Sequence, residues 1–574
     1  MKKSKYSLLL VLTLVLSMFL SACYGGSGGG GQQGGGTEGG NNNGGNGEGT
    51  EETTENVPQE IVVSESSEIP AMDSIMAQDT ISFTTMNNVN EGLYRLSPDQ
   101  EPVPGVAAGP AEANEDGTVY TIKLKDNAKW SNGDPVTAND FVFAWQRAVN
   151  PDNASPYGPY MMEGKIAGAT EIVQEGAALD TLGVKAIDDT TLEVTLVKPI
   201  PFFESLMAFP TFYPQNQKFV EEQGENYAKS AENLLYNGPF VLSNWAGNTA
   251  SSWEYAKNDN YWDKDNVSLT KISFNVVKDP QAAVNAFDAG EVDITGKLSS
   301  DVVPLYADDE RLKSWLEPVI FWIKLNQTNE ALQNVNIRRA IATAFNKEDL
   351  VTTILNNGSQ PANYAVPAEF VTNPETGADF REANGDLLEY NAEEAKKLWE
   401  KGLEEIGQSE VKLVYLGGDT ETAKKTDEYI RNQLETNLPG LTVDVQSVPF
   451  SVRLDRDNKL DYDLQFAGWG PDYLDPISFS DLWITDGGNN KMAYSSEQYD
   501  KLLKDAQTTL ATEPGKRFEA LQEAERVLLE EDAGLAPVYQ RTSNLLINQN
   551  IEGFTYHTVG PEYSYKYIKV TGGE

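Results

Sequence analysis

Val411-Lys412-Leu413-Val414-Tyr415-Leu416 is a short apolar run of the kind that forms a strand, and Leu441 to Val448 reads as a second strand after a helical stretch from Glu421 to Asn437. Strand, helix and strand at this spacing form a βαβ unit, so the chain is α/β in class. Downstream, a strand-like run from Tyr462 to Phe466 leads into Ala467-Gly468-Trp469-Gly470-Pro471-Asp472-Tyr473-Leu474-Asp475-Pro476. Gly468 and Gly470 let a ligand approach the backbone, Trp469 supplies an apolar wall, and Asp472 an acceptor for a cationic amine. The spacing supports equally well a turn built around a core tryptophan.

Upstream the mixture of elements continues. Ile61-Val62-Val63, the alternation at Tyr120, Ile122 and Leu124, and Leu192 to Leu196 read as strands. Thr137 and Asp140 form a capping-box pattern ahead of Phe141, Ala144, Trp145 and Ala148, which predicts a helix ending near Val149. Helical patterns also cover Ile337 to Leu355, Ala392 to Glu405 and Phe518 to Glu531, and no internal repeat is present.

The amino terminus carries a different signal. Lys2, Lys3 and Lys5 precede the apolar run Leu8 to Leu20, and Leu20-Ser21-Ala22 ends at Cys23, the only cysteine of the 574 residues. This is the pattern of a lipoprotein signal peptide over 1–22, cut before a lipidated Cys23 that anchors the chain at the extracytoplasmic face of the cell membrane. With one cysteine there is no internal disulfide, so stability rests on a packed core. From Tyr24 to Pro58 the chain is Gly, Asn, Gln, Thr and Glu with almost no apolar residue, which predicts a disordered tether of roughly 30 Å reach. No later stretch is apolar for long enough to span a bilayer, so membrane contact is expected through the anchor only.

Composition excludes several functions. Forty-four Lys plus Arg against 87 Asp plus Glu give a net charge of −43, unsuited to nucleic acid. His557 is the single histidine, which removes the material for catalytic triads and zinc sites. Gly290 to Lys297 misses the phosphate-loop spacing and is followed by Leu298 in place of a hydroxyl residue. Asn258-Asp259-Asn260 with Asp263 and Asp265 lacks the glycine and distal glutamate of a calcium loop and reads as a solvated turn. No enzyme, metal or cofactor is expected.

The Ala467–Pro476 segment resembles the Ala-Gly-Trp-x-x-Asp-Tyr-x-x-Pro signature of the oligopeptide-binding proteins of ABC importers. Ala128-Lys129-Trp130-Ser131-Asn132-Gly133-Asp134-Pro135-Val136-Thr137-Ala138-Asn139-Asp140-Phe141 resembles a second family signature, followed in family order by Ala154-Ser155-Pro156-Tyr157, Asn237-Gly238-Pro239-Phe240, Asn260-Tyr261-Trp262 and Gly290-Glu291-Val292-Asp293. The resemblance runs from about Glu60 to the end.

It implies a type II periplasmic-binding-protein fold of cluster C type, with two α/β lobes joined by a hinge and an inserted third domain. The implied divisions are lobe I over 59–90, 215–318 and 539–574, the inserted domain over 91–214, and lobe II over 319–538, following the 23–58 anchor and tether. It further implies that Asp472 accepts a peptide's α-amino group, that Trp469 with Gly468 and Gly470 forms a cleft wall, and that Tyr157 approaches from the inserted domain. Phe450 would line a side-chain pocket, and the segment Gln78 to Thr80 would pair with peptide backbone. The chain departs from the pattern at Phe466 and Asp457, where some members place cations for the peptide carboxylate, and at Lys324, where some place an acid. The implied partners are an oligopeptide and the transmembrane subunits of an ABC permease, with the protein a monomer. A receptor for signalling peptides, or a carrier of a glycoside or nickel chelate, are the alternatives within the same family.

Overall fold

The computed structural model describes residues 57–448 and 450–572, without the side chains at 421, 450, 451, 454 and 455. Cys23, the signal peptide and nearly all of the tether lie outside the described residues.

The βαβ unit forms as its sequence predicts. Strands Val411–Gly418 and Leu441–Val448 run parallel with Val411 opposite Leu441 and Gly418 opposite Val448, and helix Glu421–Asn437 makes the crossover. Thr420 caps that helix by accepting from the Ala423 amide, while Leu413 and Tyr415 turn inward and Lys412 outward. Strand Leu464–Trp469 joins parallel to the first of these and antiparallel to Leu312–Leu325, which in turn pairs with Leu535–Leu546. With Gln360–Pro361 at one edge, these make a six-stranded sheet.

A second sheet holds Glu60–Glu65, Lys271–Val276, Ser252–Lys257 and Phe240–Ser243, with Ile61 and Val63 in the core. A third holds Glu112–Ala113, Val119–Lys123, Thr191–Thr195 and Val184–Asp188. Beside it runs helix Ala138–Val149, started by the Thr137–Asp140 capping box.

The long ribbon of Leu312–Leu325 and Leu535–Leu546 reaches from the six-stranded sheet to the Glu60–Glu65 sheet. At its far end the Thr295 amide donates to the Leu546 carbonyl at 3.0 Å, and Ile294 bridges both Ile547 and Val63. Midway the register slips between Leu316 and Ile320, where Pro318 cannot donate to a ladder. The buried Glu317 side chain there is held by Lys297 at 3.0 Å and by Arg541, and its main-chain oxygen accepts from Gln540 Nε2 at 3.0 Å. Gln540 also donates to the Ala368 oxygen and accepts from Tyr364 Oη and the Ala368 amide, so all four hydrogen-bonding positions of its buried amide are filled.

The helix expected over Ile337 to Leu355 is broken. It forms as Val335–Thr343, then restarts at Lys347–Asp349 and runs into a π-helical turn, Leu350–Leu355. Asn346 sets the break, because its side chain accepts from the Asp349 amide and caps a new start where continuation would need that residue inside a helix. Helix Pro514–Arg526 begins earlier than the pattern at Phe518, on a proline suited to a first turn, and closes in the π-helical turn Val527–Glu531. The 258–265 segment is a turn that leads into the 3-10 turn Lys264–Asn266, with Asn258 accepting from the Asn260 amide at 3.0 Å. Asn258 is nevertheless buried and donates to the Gly238 oxygen at 2.9 Å.

Lys347, just after the break, is buried, and its hydrogen-bond partners among the described residues are neutral, Asn363 Oδ1 at 2.9 Å and the Leu388 oxygen at 2.7 Å. Burial pushes its ammonium down to about 7, with Asp386 and Glu389 opposing. A lysine whose folded value lies below its unfolded value binds fewer protons folded than unfolded between the two, so stability rises with pH from about 7 to 10.5. Urea unfolding of the wild type and Lys347→Met at pH 7 and pH 9 should show the wild type gaining stability relative to the variant at the higher pH. A pH-independent difference would place the lysine's charge outside the folding equilibrium.

Candidate ligand-binding site

The sequence-predicted residues converge where strand Leu464–Trp469 runs out into Gly470-Pro471-Asp472. Gly468 is opposite Phe321 in the ladder, and a Cβ there would sit 2.7 Å from the Phe321 ring, so only glycine lets that ring lie against the strand. Phe321 stacks on Tyr539 at 4.7 Å and 15° and on Phe466 at 5.4 Å and 18°, forming an aromatic wall. Trp469 is half-buried, and its Nε1 has no hydrogen-bond partner among the described residues.

Asp472 is the centre of the site. Its Oδ1 accepts from Tyr157 Oη at 2.9 Å and its Oδ2 from Tyr160 Oη at 2.7 Å, while its amide donates to Ser478 Oγ at 3.2 Å. Burial holds the carboxyl above the usual carboxylate range, opposed first by the Tyr160 and Tyr157 hydrogen bonds and then by Lys165. The two phenols are pushed upward as well, by burial and by the adjacent carboxylate.

Local sequence fixes both sides of this contact. Gly158 donates to Ser155 Oγ at 2.9 Å, and a Cβ on it would fall 2.0 Å from the Ala148 oxygen, so the turn presenting Tyr157 and Tyr160 packs directly on the Ala138–Val149 helix. The Tyr157 ring is set by Phe83 at 5.5 Å and Phe209 at 5.6 Å. On the other side, Asp475 takes both terminal nitrogens of Arg517 at 2.7 Å and accepts from the Ile477 amide at 2.9 Å, pinning the loop just after Asp472. Tyr473 stacks on Phe202 at 4.4 Å and 2°, and the Leu474 amide donates to Ser205 Oγ at 3.2 Å. Segments far apart in sequence thus meet over Asp472.

Other predicted residues are placed differently. Gln78 is exposed and outside any strand, and Thr80 is the first residue of helix Thr80–Val89, capped by Asp79. That helix brings Phe83 to Tyr157. Phe450 opens helix Phe450–Asn458, and its side chain lies outside the described residues. Lys324 and Asp457, two of the departures from the family pattern, pair with each other at 2.8 and 3.0 Å, and Phe466, the third, is part of the aromatic wall. Sequence reasoning did not single out Tyr160, Phe321 or Tyr539. Tyr160 had a signal in its position one helical turn beyond Tyr157. The other two are set by sheet pairing alone.

Histidine contributes no proton chemistry to the site. His557 is buried with Nε2 2.8 Å from Ser564 Oγ, and burial next to Arg95 lowers it to about 3, so it is neutral. A carboxylate fenced by phenols and flanked by aromatic walls suits non-covalent capture of a cation-bearing ligand.

Two α/β sheets linked by a strand ribbon, with such a site where distant segments meet, define a two-lobed solute-binding protein. Residues 101–491 match the profile described as bacterial extracellular solute-binding proteins, family 5 Middle. The chain belongs to this family. It is 34% identical over 519 residues to the dipeptide-binding protein of Lactococcus lactis subsp. cremoris, covering 88% of this chain and 93% of that one. Among solved structures, Listeria monocytogenes OppA bound to peptide superposes with a TM-score of 0.75 at 43% identity, covering 90% of this chain and 100% of the other. The pheromone receptor PrgZ gives a TM-score of 0.75 at 37% identity with the same coverage. The fold expected from the sequence, type II with two lobes and an inserted domain, is the fold of these proteins.

Proposed function

We propose that this protein is a lipid-anchored, extracytoplasmic receptor that encloses oligopeptides in its cleft and hands them to an ABC importer without altering them. The observation that carries this reading is Asp472, a half-buried carboxylate whose present partners are two neutral phenols. A peptide's α-ammonium is the charge such a group lacks, and desolvating the pair inside the cleft fixes the peptide's register. The names of the relatives, a dipeptide-binding protein and a peptide-bound OppA, support the same ligand class.

In this reading Tyr157, Tyr160, Trp469 and the Phe321–Phe466–Tyr539 wall surround the peptide, and Gln78 to Thr80 and Phe450 contribute at the edges. The register slip between Leu316 and Ile320 supports a hinge between lobe I (59–90, 215–318 and 539–574) and lobe II (319–538), with 91–214 as the inserted domain. Anchor and tether place the domain off the membrane surface through Cys23, and the protein acts as a monomer.

Similarity to a pheromone receptor supports a second role, detection of a signalling peptide by the same cleft. Mass spectrometry of small molecules released by denaturing natively purified protein tests both. A population of peptides within a narrow length range is expected for import, and one defined peptide would assign signalling instead. Sugars or a metal chelate would overturn the peptide reading.

A further inference from the structure

Next to the Asp472 site is a cavity of about 220 Å³, lined by Lys165, Lys198 and Phe202 and, from the other segment, by Tyr473, Asp481 and Gln507. The space far exceeds the roughly 10–15 Å³ that one water needs. Lys165 donates to the main-chain oxygen of Tyr160 at 3.1 Å, and Lys198 to the side-chain oxygen of Gln507. Both acceptors are neutral. Among the described residues no carboxylate is in ion-pair contact with either ammonium, whereas the half-buried Lys324 and the buried Lys566 have carboxylates at 2.8 and 2.7 Å.

The other charges at the wall are already engaged. Arg517 is committed to Asp475, Glu163 accepts from Gln174 at 2.6 Å, and Asp481 accepts from Gln507 at 3.2 Å. Burial pushes both lysines down, and each is pushed further by a neighbouring cation, Lys198 acting on Lys165 and Arg517 on Lys198. Asp481, with Asp472 and Glu163 at Lys165, opposes this without reaching ion-pair distance. Two desolvated ammoniums facing a shared space in a chain of net charge −43 lower their cost by taking up an anion there.

We propose that this cavity is an anion site that takes a small carboxylate-bearing group, either a free dicarboxylate or the acidic side chain of a peptide's first residue. The second source rests on the peptide reading above, and the first does not. Lysines from one segment and Gln507 from the other line the cavity, so the bound carboxylate bridges the two sides that meet over Asp472.

Calorimetric titration of the ligand-free protein with succinate tests the site without any peptide. Binding is expected in the wild type, at least tenfold weaker in Lys165→Met/Lys198→Met, and retained in Lys165→Arg/Lys198→Arg. The single Lys198→Gln variant should show a smaller loss and serves if the double methionine variant does not fold. Titration with Glu-Ala-Ala and Gln-Ala-Ala forms the second arm. A tenfold preference for the glutamate peptide that disappears in the methionine variant assigns the carboxylate to the ligand's own side chain. Succinate binding with no such preference assigns a separate effector. If neither succinate binding nor a glutamate preference depends on the lysines, the proposal is overturned.

Discussion

Asp472→Ala should lower affinity for peptides with a free amino terminus by on the order of 30-fold or more, while N-acetylated peptides lose little. The magnitude follows from truncating one partner of a buried, hydrogen-bonded charge pair, which costs about 2–5 kcal/mol, at 1.4 kcal/mol per decade of affinity. The variant also leaves the Tyr157 and Tyr160 hydroxyls, now 2.9 and 2.7 Å from the carboxylate, without that acceptor. Asp472→Asn keeps the shape and one acceptor but no charge, and should fall between the two. Because burial raises this carboxyl, wild-type affinity for free-amine peptides should also weaken as pH falls toward its raised value, with the acetylated series unchanged. Titrating both peptide series against wild type and variants settles the matter: equal losses for free and acetylated peptides would remove Asp472 from amine recognition.

Asp475→Ala should destabilise the fold by about 3–5 kcal/mol, the usual cost of removing one partner of a buried ion pair. Arg517 has 7% side-chain exposure and Asp475 8%, so breaking the bidentate pair leaves a buried, uncompensated guanidinium. Among the described residues, Arg517 would keep only its bond to the Ala506 oxygen. The loop from Asp472 would also lose the anchor at the Ile477 amide, so the site is expected to loosen along with the fold. Urea unfolding measures the first effect. Peptide affinity well below the unfolding transition measures the second, and a variant as stable as the wild type would show that the pair is energetically neutral.

The βαβ unit was legible because each of its elements carries its own signal: a short apolar, β-branched and aromatic run in Val411 to Leu416, helical spacing after Thr420, alternation from Leu441. The Thr137–Asp140 helix was legible because its cap is written locally. Between Ile337 and Leu355 the apolar pattern continues straight through a break made by one asparagine side chain, so periodicity misses it. At the site, the glycine, tryptophan and aspartate of 468–472 and Tyr157 stood out as motifs, and the structure joins Asp472 to Tyr157 directly. Phe321 and Tyr539 carried no local mark. They meet only because the ladder puts Phe321 opposite both Gly468 and Tyr539, and such pairing is fixed by the whole sheet. The Lys324–Asp457 pair shows a related limit, since two substitutions that look unfavourable singly neutralise each other in space.

Gln540 has one further consequence. With its amide tied to the Glu317 and Ala368 oxygens, to the Ala368 amide and to Tyr364, the ribbon cannot slide one strand past the other at the point where its register slips. Translation along the strands is forbidden there while bending across them is not. The motion expected of the ribbon at this point is therefore a bend and not a slide, with Gln540 keeping all four of its partners.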